Sequence, residues 1–230
     1  MYRLNTQADQ DDQSLRLSID AKAVVKVGEF DRGGKTRVPI AAADHDFKPE
    51  TTLTPVGLFL PQSNEVWFFF ITTKVTADCL VDLLEYWWAQ TKHRFPHVRR
   101  WVLNMDNGPE NHSRRTQFMH RLVQWVHREG LELQLAYYPP YHSKYNPVER
   151  TFGWLEQHWS GSLLDSVETV LKFAKSLQYK GKHPFVRLVT KTYHTGVKLG
   201  LKAMKELEKQ WERWPGLEKW FVTIKPPQKE

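Results

Sequence analysis

The stretch from residue 137 to residue 159 restricts the fold of this chain more than any other, because a loop and a helix must meet within it. Its first half, YYPPYHSKYN, is an aromatic loop punctuated by prolines that ends at Asn146-Pro147. Proline is favoured at the first helical position, since the N–H that it lacks would have no helical partner there. The apolar residues that follow recur at helical spacing and predict one buried stripe: Val148, Phe152, Leu155 and Trp159.

Glu149 falls in the first turn of this predicted helix, beside the buried stripe and about 100° from it around the helix axis. A carboxylate held in this way is suited to binding a metal ion or accepting a proton. Acidic residues are also common in first turns because they complement the helix macrodipole. The stretch alone therefore leaves both interpretations of Glu149 open.

Hydrophobic periodicity predicts the remaining elements. Five runs that alternate or are rich in β-branched and aromatic residues predict strands: 15–20, 54–60, 65–73, 99–105 and 131–136. With the helices between and after them the order is βββαβα, and further helices are predicted over 163–177 and 197–214. We therefore expect an α/β fold with a mixed five-stranded sheet, flanked by helices and followed by extra C-terminal helices.

The same pattern predicts how the chain is divided. Residues 1–14 are polar and are expected to be disordered. Residues 15–178 are expected to form one domain with a long insertion loop over 28–53, and residues 179–230 a basic helical extension packed on it. With 10 Trp and 40% apolar residues, a chain of 230 residues can bury a sizeable core.

Composition limits the location and the partners. No apolar run is long enough to span a membrane, and the single cysteine, Cys79, excludes an internal disulfide framework, so we expect a cytoplasmic protein. The net charge of +7 is concentrated from residue 172 onwards, which favours a polyanionic partner. The Gly-Lys-Thr tripeptide at 34–36 does not complete a phosphate-binding loop, since Glu stands where the first glycine is needed, and no nucleotide cofactor is expected.

Three acidic residues occupy positions of the same kind. Asp20 lies on the first predicted strand, Asp106 ends the fourth at an Asp-Asn-Gly-Pro turn, and Glu149 begins the helix after the fifth. If the first and fourth strands are neighbours, these carboxylates converge. Converging carboxylates stay ionised only when cations neutralise them. This arrangement is typical of two-metal phosphodiester chemistry, and Mg²⁺ suits an all-oxygen site.

Other acidic residues remain as alternatives. Glu156 lies one heptad after Glu149 and points the same way, but no Asn-Pro pair precedes it. Asp44 or Asp46 could take the place of Asp20, although both fall in the predicted loop rather than on a strand.

These residues lie in motifs that resemble those of the DDE transposases of bacterial insertion sequences, most closely the ISAzo13-type family. Matching segments run through nearly the whole chain, and the most specific are DNGPEN and HSKYNPVER. The resemblance implies an RNase H-like catalytic domain, as in retroviral integrases, that cleaves DNA and carries out strand transfer during transposition. It implies two Mg²⁺ ions, for which Mn²⁺ substitutes, held by Asp20, Asp106 and Glu149.

The resemblance also implies supporting roles. Asn107 and Asn146 would orient the metal-binding carboxylates. The side chains expected to contact DNA are His142, Lys144, Arg114, Arg115, Lys180 and Lys182. The implied partners are double-stranded DNA, both transposon ends and target, and a second copy of the chain in a synaptic homodimer, with the bacterial nucleoid as the site of action.

One feature departs from the family pattern. Transposases of this type carry an N-terminal helix-turn-helix region that finds the transposon ends, whereas here the first catalytic strand begins by Leu15, so we expect a catalytic domain without that region. Two other functions stay open. One is a DNA-binding or domesticated remnant without catalysis, for which the basic C-terminal third suffices; the other is a structure-specific RNase H-like nuclease that performs no strand transfer.

Overall fold

Nine strands and six helices make up the described part of the chain. The computed structural model describes residues 1–30, 49, 51–139, 142 and 145–227. The strands are β1 (Ser14–Ala21), β2 (Val25–Val27), β3 (Thr51–Leu60), β4 (Glu65–Ile71), β5 (Arg100–Met105), β6 (Glu132–Tyr137), β7 (Phe185–Val189), β8 (Trp211–Arg213) and β9 (Phe221–Ile224). The helices are α1 (Tyr2–Gln10), α2 (Ala77–Thr91), α3 (Thr116–Glu129), α4 (Glu149–Trp159), α5 (Val167–Ser176) and α6 (Leu201–Leu207). None of these helices is long and apolar enough to cross a membrane.

The chain forms two compact units, each built from separate segments. The first comprises Met1–Ser18, Val75–Asn146 and Tyr193–Glu230, and the second comprises Ile19–Lys74 and Pro147–Thr192. The domain over 15–178 and the basic extension over 179–230 stay predictions. Both units contain strands that pair although they are far apart in the sequence.

The strands of the first unit follow the order β1-β5-β6-β9-β8. β1, β5 and β6 are parallel, with Leu15 opposite Trp101 and Trp101 opposite Leu133, whereas β9 is antiparallel to both β6 and β8. Asp106 directly follows β5. It therefore stands at the carboxyl end of a parallel strand, where the functional groups of α/β sheets gather.

Tryptophans from three elements form the core of the first unit. Trp101 of β5 is fully buried and packs against Trp87 of α2 and Trp125 of α3, with ring centroids 5.3 Å and 4.5 Å away. Thr76 precedes the first residue of α2, and its hydroxyl caps the helix by accepting a hydrogen bond from the backbone N–H of Cys79. These contacts fix two helices against the strand that leads to Asp106.

Residues 1–14, predicted to be disordered, instead include helix α1 and the first residue of β1. Leu4 and Ala8 lie one helical turn apart and are buried with Val102 and Phe221 of the first unit. Two apolar residues in a polar segment are too weak a pattern to predict a helix. Helix α1 is stabilised by the packing of these two residues on the first unit.

In the second unit β4 lies between β7 and β3, and β2 also pairs with β3. β3 and β4 form the predicted antiparallel hairpin, and β7 lies parallel to β4. The predicted α/β class with a mixed, helix-flanked sheet is confirmed, but the prediction of five strands is wrong. The four additional strands, β2, β7, β8 and β9, each have five residues or fewer, which is too short for a clear periodic pattern, and β8 falls inside the helix predicted over 197–214.

Helix α4 packs its predicted stripe into the core of the second unit. Val148, Phe152, Leu155 and Trp159 are all buried, as predicted. On β3, a Cβ atom added to Gly57 would lie 2.8 Å from Val148 Cγ2 and 2.9 Å from the Phe152 ring. The absence of a side chain at Gly57 is what allows the start of α4 to approach the sheet so closely, and the start of α4 carries Glu149.

Candidate active site

The carboxylate of Asp106 is held at one oxygen and open at the other. Its Oδ1 accepts hydrogen bonds from the Gly108 N–H at 3.2 Å and from the Asn111 side-chain amide at 3.0 Å. Its Oδ2 accepts none from the described residues. An ionised carboxylate accepts hydrogen bonds and coordinates cations but donates nothing. Asp106 is therefore oriented by its own loop while it keeps an oxygen available to a ligand.

Asn111 contacts Asp106 directly, and the orienting role of Asn107 stays a prediction. Asn107 is exposed and makes no hydrogen bond to Asp106, whereas Asn111 is 6% exposed and contacts it directly. The backbone carbonyl of Asn111 accepts a 2.8 Å hydrogen bond from the hydroxyl of Tyr137. Burial raises the pKa of Tyr137 well above its usual range, so this hydroxyl remains a donor. The sequence signal for Asn111 was its place in the DNGPEN motif.

Asp20 lies near the end of β1 and is 7% exposed. Its Oδ1 accepts a 2.7 Å hydrogen bond from the Ala21 N–H. Ser18, two residues earlier on the same side of β1, is fully buried, so the side of the strand that carries Asp20 is covered over this region. The alternative residues Asp44 and Asp46, with most of the loop over 28–53, lie outside the described residues.

Glu149 and Glu156 of α4 have different surroundings. Glu149 is the first residue of the helix, and its half-buried carboxylate makes no hydrogen bond or ion pair with any described residue. Glu156 forms a 2.7 Å ion pair with Lys22 and accepts a 2.8 Å hydrogen bond from the indole N–H of Trp159. Glu156 therefore has a structural role, and Glu149 is the carboxylate left available on this helix.

Asn146 is fully buried in the first unit. Its Oδ1 accepts a 2.5 Å hydrogen bond from the hydroxyl of Ser18. The bond fixes the residue from which the chain proceeds to Pro147 and α4. Sequence analysis singled out Asn146 but not Ser18, because the two residues are far apart in the chain.

The convergence of the three carboxylates stays a prediction; within the described residues no group of three or more His, Cys, Asp or Glu side chains that could hold a metal ion is found. Asp20 and Glu149 belong to the second unit and Asp106 to the first. Each of Asp20 and Asp106 accepts hydrogen bonds from residues close to it in the chain. The donor atoms themselves are of the type that hard divalent cations prefer, carboxylate and amide oxygens.

The residues predicted to contact DNA near the site differ in accessibility. His142 is exposed and stacks on Tyr145, with ring centroids 5.8 Å apart. Arg114 is also exposed. The side chain of Arg115 is only 19% exposed and forms a 3.3 Å ion pair with Glu110. Of the two arginines, Arg114 is the one free to reach a phosphate.

Lys180 and Lys182 are exposed but bound within the second unit. Their ammonium groups donate to Asn64 Oδ1 at 2.9 Å and to the Ser63 carbonyl at 2.7 Å. Both acceptors belong to the turn of the β3–β4 hairpin, so these lysines secure that turn. Lys144 lies outside the described residues.

Several solved structures are similar to this chain. They include the Mos1 mariner paired-end complex with Mn, at 13% identity and a TM-score of 0.48, covering 75% of this chain and 50% of that one. The pre-cleavage Mos1 transpososome is 12% identical with a TM-score of 0.49, covering 75% of this chain and 51% of that one. The Mos1 strand transfer complex is 12% identical with a TM-score of 0.46, covering 75% of this chain and 49% of that one. The chain thus spans about half the length of these transposase chains. No curated protein sequence matches it.

A family assignment comes from the sequence. Residues 2–226 match the model of the Rhodopirellula transposase DDE domain. The match confirms the resemblance to DDE transposases inferred from the motifs around Asp106 and Glu149. Because it covers nearly the whole chain, the protein belongs to the Rhodopirellula transposase DDE domain family.

Proposed function

We propose that this protein is the RNase H-like catalytic domain of a transposase, which cleaves DNA strands at the ends of an insertion sequence and transfers them to target DNA. The observation that carries the proposal is the carboxylate of Asp106, which follows a parallel strand, is fixed at Oδ1 and is open at Oδ2 in a member of the DDE family. Membership of that family implies dependence on divalent metal ions.

Asp20, Asp106 and Glu149 are the proposed metal ligands, and two Mg²⁺ ions, replaceable by Mn²⁺, are the proposed cofactors. When bound, the ions would activate the attacking water or 3′-hydroxyl and stabilise the leaving oxygen. The protein contributes orientation. The Gly108 N–H and the Asn111 amide keep one oxygen of Asp106 occupied, so that the other stays available to a ligand. Glu149 is held at a helix start and keeps its carboxylate free of described partners.

The proposed substrate is double-stranded DNA, with both transposon ends and target DNA bound by a homodimer in a synaptic complex. Support comes from the net charge of +7, from exposed Arg114 and His142, and from the presence of transposon-end DNA in a Mos1 paired-end complex. Phosphate contacts by basic side chains make such binding fall as salt concentration rises. We propose Lys144 as a further phosphate contact on the grounds of the motif alone.

The experiment compares wild-type protein, Asp106→Asn and Asp12→Asn on supercoiled plasmid and on an oligonucleotide with a free 3′-hydroxyl end. Asp12 is exposed, has no hydrogen-bond or ion-pair partner among the described residues, and serves as the matched control. We expect Asp106→Asn to lose Mg²⁺-dependent nicking and joining while its circular dichroism spectrum is unchanged. Nicking at the wild-type level by Asp106→Asn would overturn the assignment.

The same assays separate the other functions. Nicking without joining would indicate a nuclease that performs no strand transfer. DNA binding that weakens with salt but is indifferent to a chelator, with no nicking in Mg²⁺ or Mn²⁺, would indicate a binding protein without catalysis.

A further inference from the structure

Three oxygen atoms surround the open side of Gly108. A Cβ atom added to this residue would lie 3.0 Å from Asn111 Oδ1, and 3.2 Å and 3.3 Å from the two carboxylate oxygens of Asp106. All three oxygens therefore border the small space that glycine leaves free. A side chain at position 108 would bring a carbon atom close to these three oxygen atoms, and this carbon atom could not donate a hydrogen bond to them.

The orientation of the Asn111 amide follows from its neighbour. Since the Asp106 carboxylate only accepts hydrogen bonds, the atom of Asn111 that faces it must be the nitrogen. The amide oxygen is then directed elsewhere, and it is buried without any hydrogen-bond partner. Buried polar atoms in proteins are nearly always satisfied, so a buried oxygen without a partner beside an open carboxylate is a candidate ligand of a bound ion.

The loop also holds this oxygen in place. The Asn111 carbonyl accepts from the Tyr137 hydroxyl at 2.8 Å. Two residues on, the guanidinium of Arg213 donates to the Ser113 hydroxyl at 2.9 Å and to the Ser113 carbonyl at 2.8 Å. The position of Asn111 Oδ1 is therefore set by the protein before any ligand arrives.

We propose that Asn111 Oδ1 is a ligand of the divalent cation bound by Asp106, and that Gly108 leaves the room this cation needs. Amide oxygens are ordinary ligands of hard divalent cations. The two ends of the amide then have separate tasks, since Nδ2 orients Asp106 and Oδ1 binds the ion. The inference rests on the proposed function only in requiring that Asp106 binds such a cation.

The test measures Mn²⁺ affinity by electron paramagnetic resonance on the full 230-residue chain without DNA. The variants are Asn111→Ala, Asn111→Asp and Gly108→Ala, with Gly200→Ala as control, because a Cβ at Gly200 meets nothing within 4 Å. We expect Asn111→Ala to weaken binding about 10- to 100-fold, the range seen when residues that support a metal site are lost. Gly108→Ala should weaken binding as well, and Gly200→Ala should not.

Asn111→Asp separates the ligand role from the orienting role, because it keeps an oxygen but loses the N–H that holds Asp106. If Oδ1 binds the ion, Asn111→Asp binds Mn²⁺ at least tenfold more tightly than Asn111→Ala, in about the wild-type range. Equal weakening by both substitutions would overturn the ligand role, and so would wild-type affinity in Asn111→Ala. If Asn111→Ala does not fold, wild-type affinity in Gly108→Ala or a large loss in Asn111→Asp overturns the proposal. No Mn²⁺ binding by the wild-type chain would overturn the proposed function together with this inference.

Discussion

The hydroxyl of Ser18 donates a 2.5 Å hydrogen bond to Oδ1 of Asn146, and both side chains are fully buried. Ser18 lies two residues before Asp20, and Asn146 lies three residues before Glu149. Within the first unit, this bond joins the two points from which the chain runs on to those carboxylates. It gives the Asn146-Pro147 pair a physical role in addition to starting a helix.

We expect Ser18→Ala to lower the free energy of unfolding by about 1–3 kcal/mol, because it removes one partner of a buried hydrogen bond. Urea titration of Ser18→Ala, Asn146→Ala and the double variant measures the coupling between the two side chains. A coupling energy of about 0.5 kcal/mol or more is expected for residues in contact. Strictly additive effects would show that the bond contributes nothing of its own.

Glu149→Gln should abolish Mg²⁺-dependent DNA cleavage, whereas Glu156→Gln should retain it. Glu149 has no described partner, and Glu156 is occupied by Lys22 and the indole of Trp159. Glutamine at position 156 keeps an oxygen for that indole, and the ion pair with Lys22 that it loses is partly exposed and worth about 0–1 kcal/mol. Plasmid nicking and thermal melting of both variants check this, and the reverse pattern would make Glu156 the catalytic carboxylate.

Gly57→Ala should destabilise the protein by about 1–3 kcal/mol, because its new methyl group would overlap Val148 and Phe152. Gly153→Ala provides the opposite case within α4. Residue 153 is exposed, a Cβ there meets nothing within 4 Å, and alanine favours a helix over glycine by about 0.5–1 kcal/mol. Chemical denaturation should therefore give a lower free energy of unfolding than the wild type for Gly57→Ala and a higher one for Gly153→Ala.

Asp11→Asn should lower the melting temperature at neutral pH but have little effect in acid. Hydrogen bonds from Ser14 at 2.6 Å and Arg100 at 2.7 Å, with a further one from the Gln13 N–H, hold the pKa of Asp11 below its ordinary value of 3.8. A carboxylate whose pKa is lower in the folded state adds stability above its unfolded pKa, and this stability is lost as pH falls through the folded pKa.

Melting curves of wild type and Asp11→Asn from pH 7 down to about pH 3 measure the difference. The difference in melting temperature between the two proteins should be constant above about pH 5 and shrink below pH 3.8. A difference that stays the same throughout would mean that the substitution acts through packing rather than through charge.

The sequence predicted those parts of the fold that depend on local pattern. The buried stripe of α4, the β3–β4 hairpin and the strand that ends at Asp106 were all identified, since periodicity and turn residues lie within a few positions of one another. The helix predicted over 197–214 ends at Leu207, because Trp211 is opposite Ile224 in a strand pair. Such pairing depends on residues outside any local window.

The residues of the candidate site also divide into those that local sequence patterns indicate and those that depend on contacts between distant positions. The metal-binding role of Asp106 and Glu149 stays a prediction, and both residues were singled out because each stands where an element begins or ends. Asn111 was not, because its contact with Asp106 depends on the shape of a loop that returns after five residues. Ser18 and Asn146 illustrate the limit, since their bond joins residues 128 positions apart.

The pairing of β6 with β9 determines when the first unit can be completed during synthesis. Leu133 to Ala136 pair with residues 221–224, which are synthesised well after β6. Until then β6 has a free backbone edge beside a tryptophan-rich core, which is the kind of surface that recruits strands from other chains. Nascent or prematurely terminated chains that lack β9 should therefore need a chaperone to avoid aggregation, even though every residue around Asp106 has already been made.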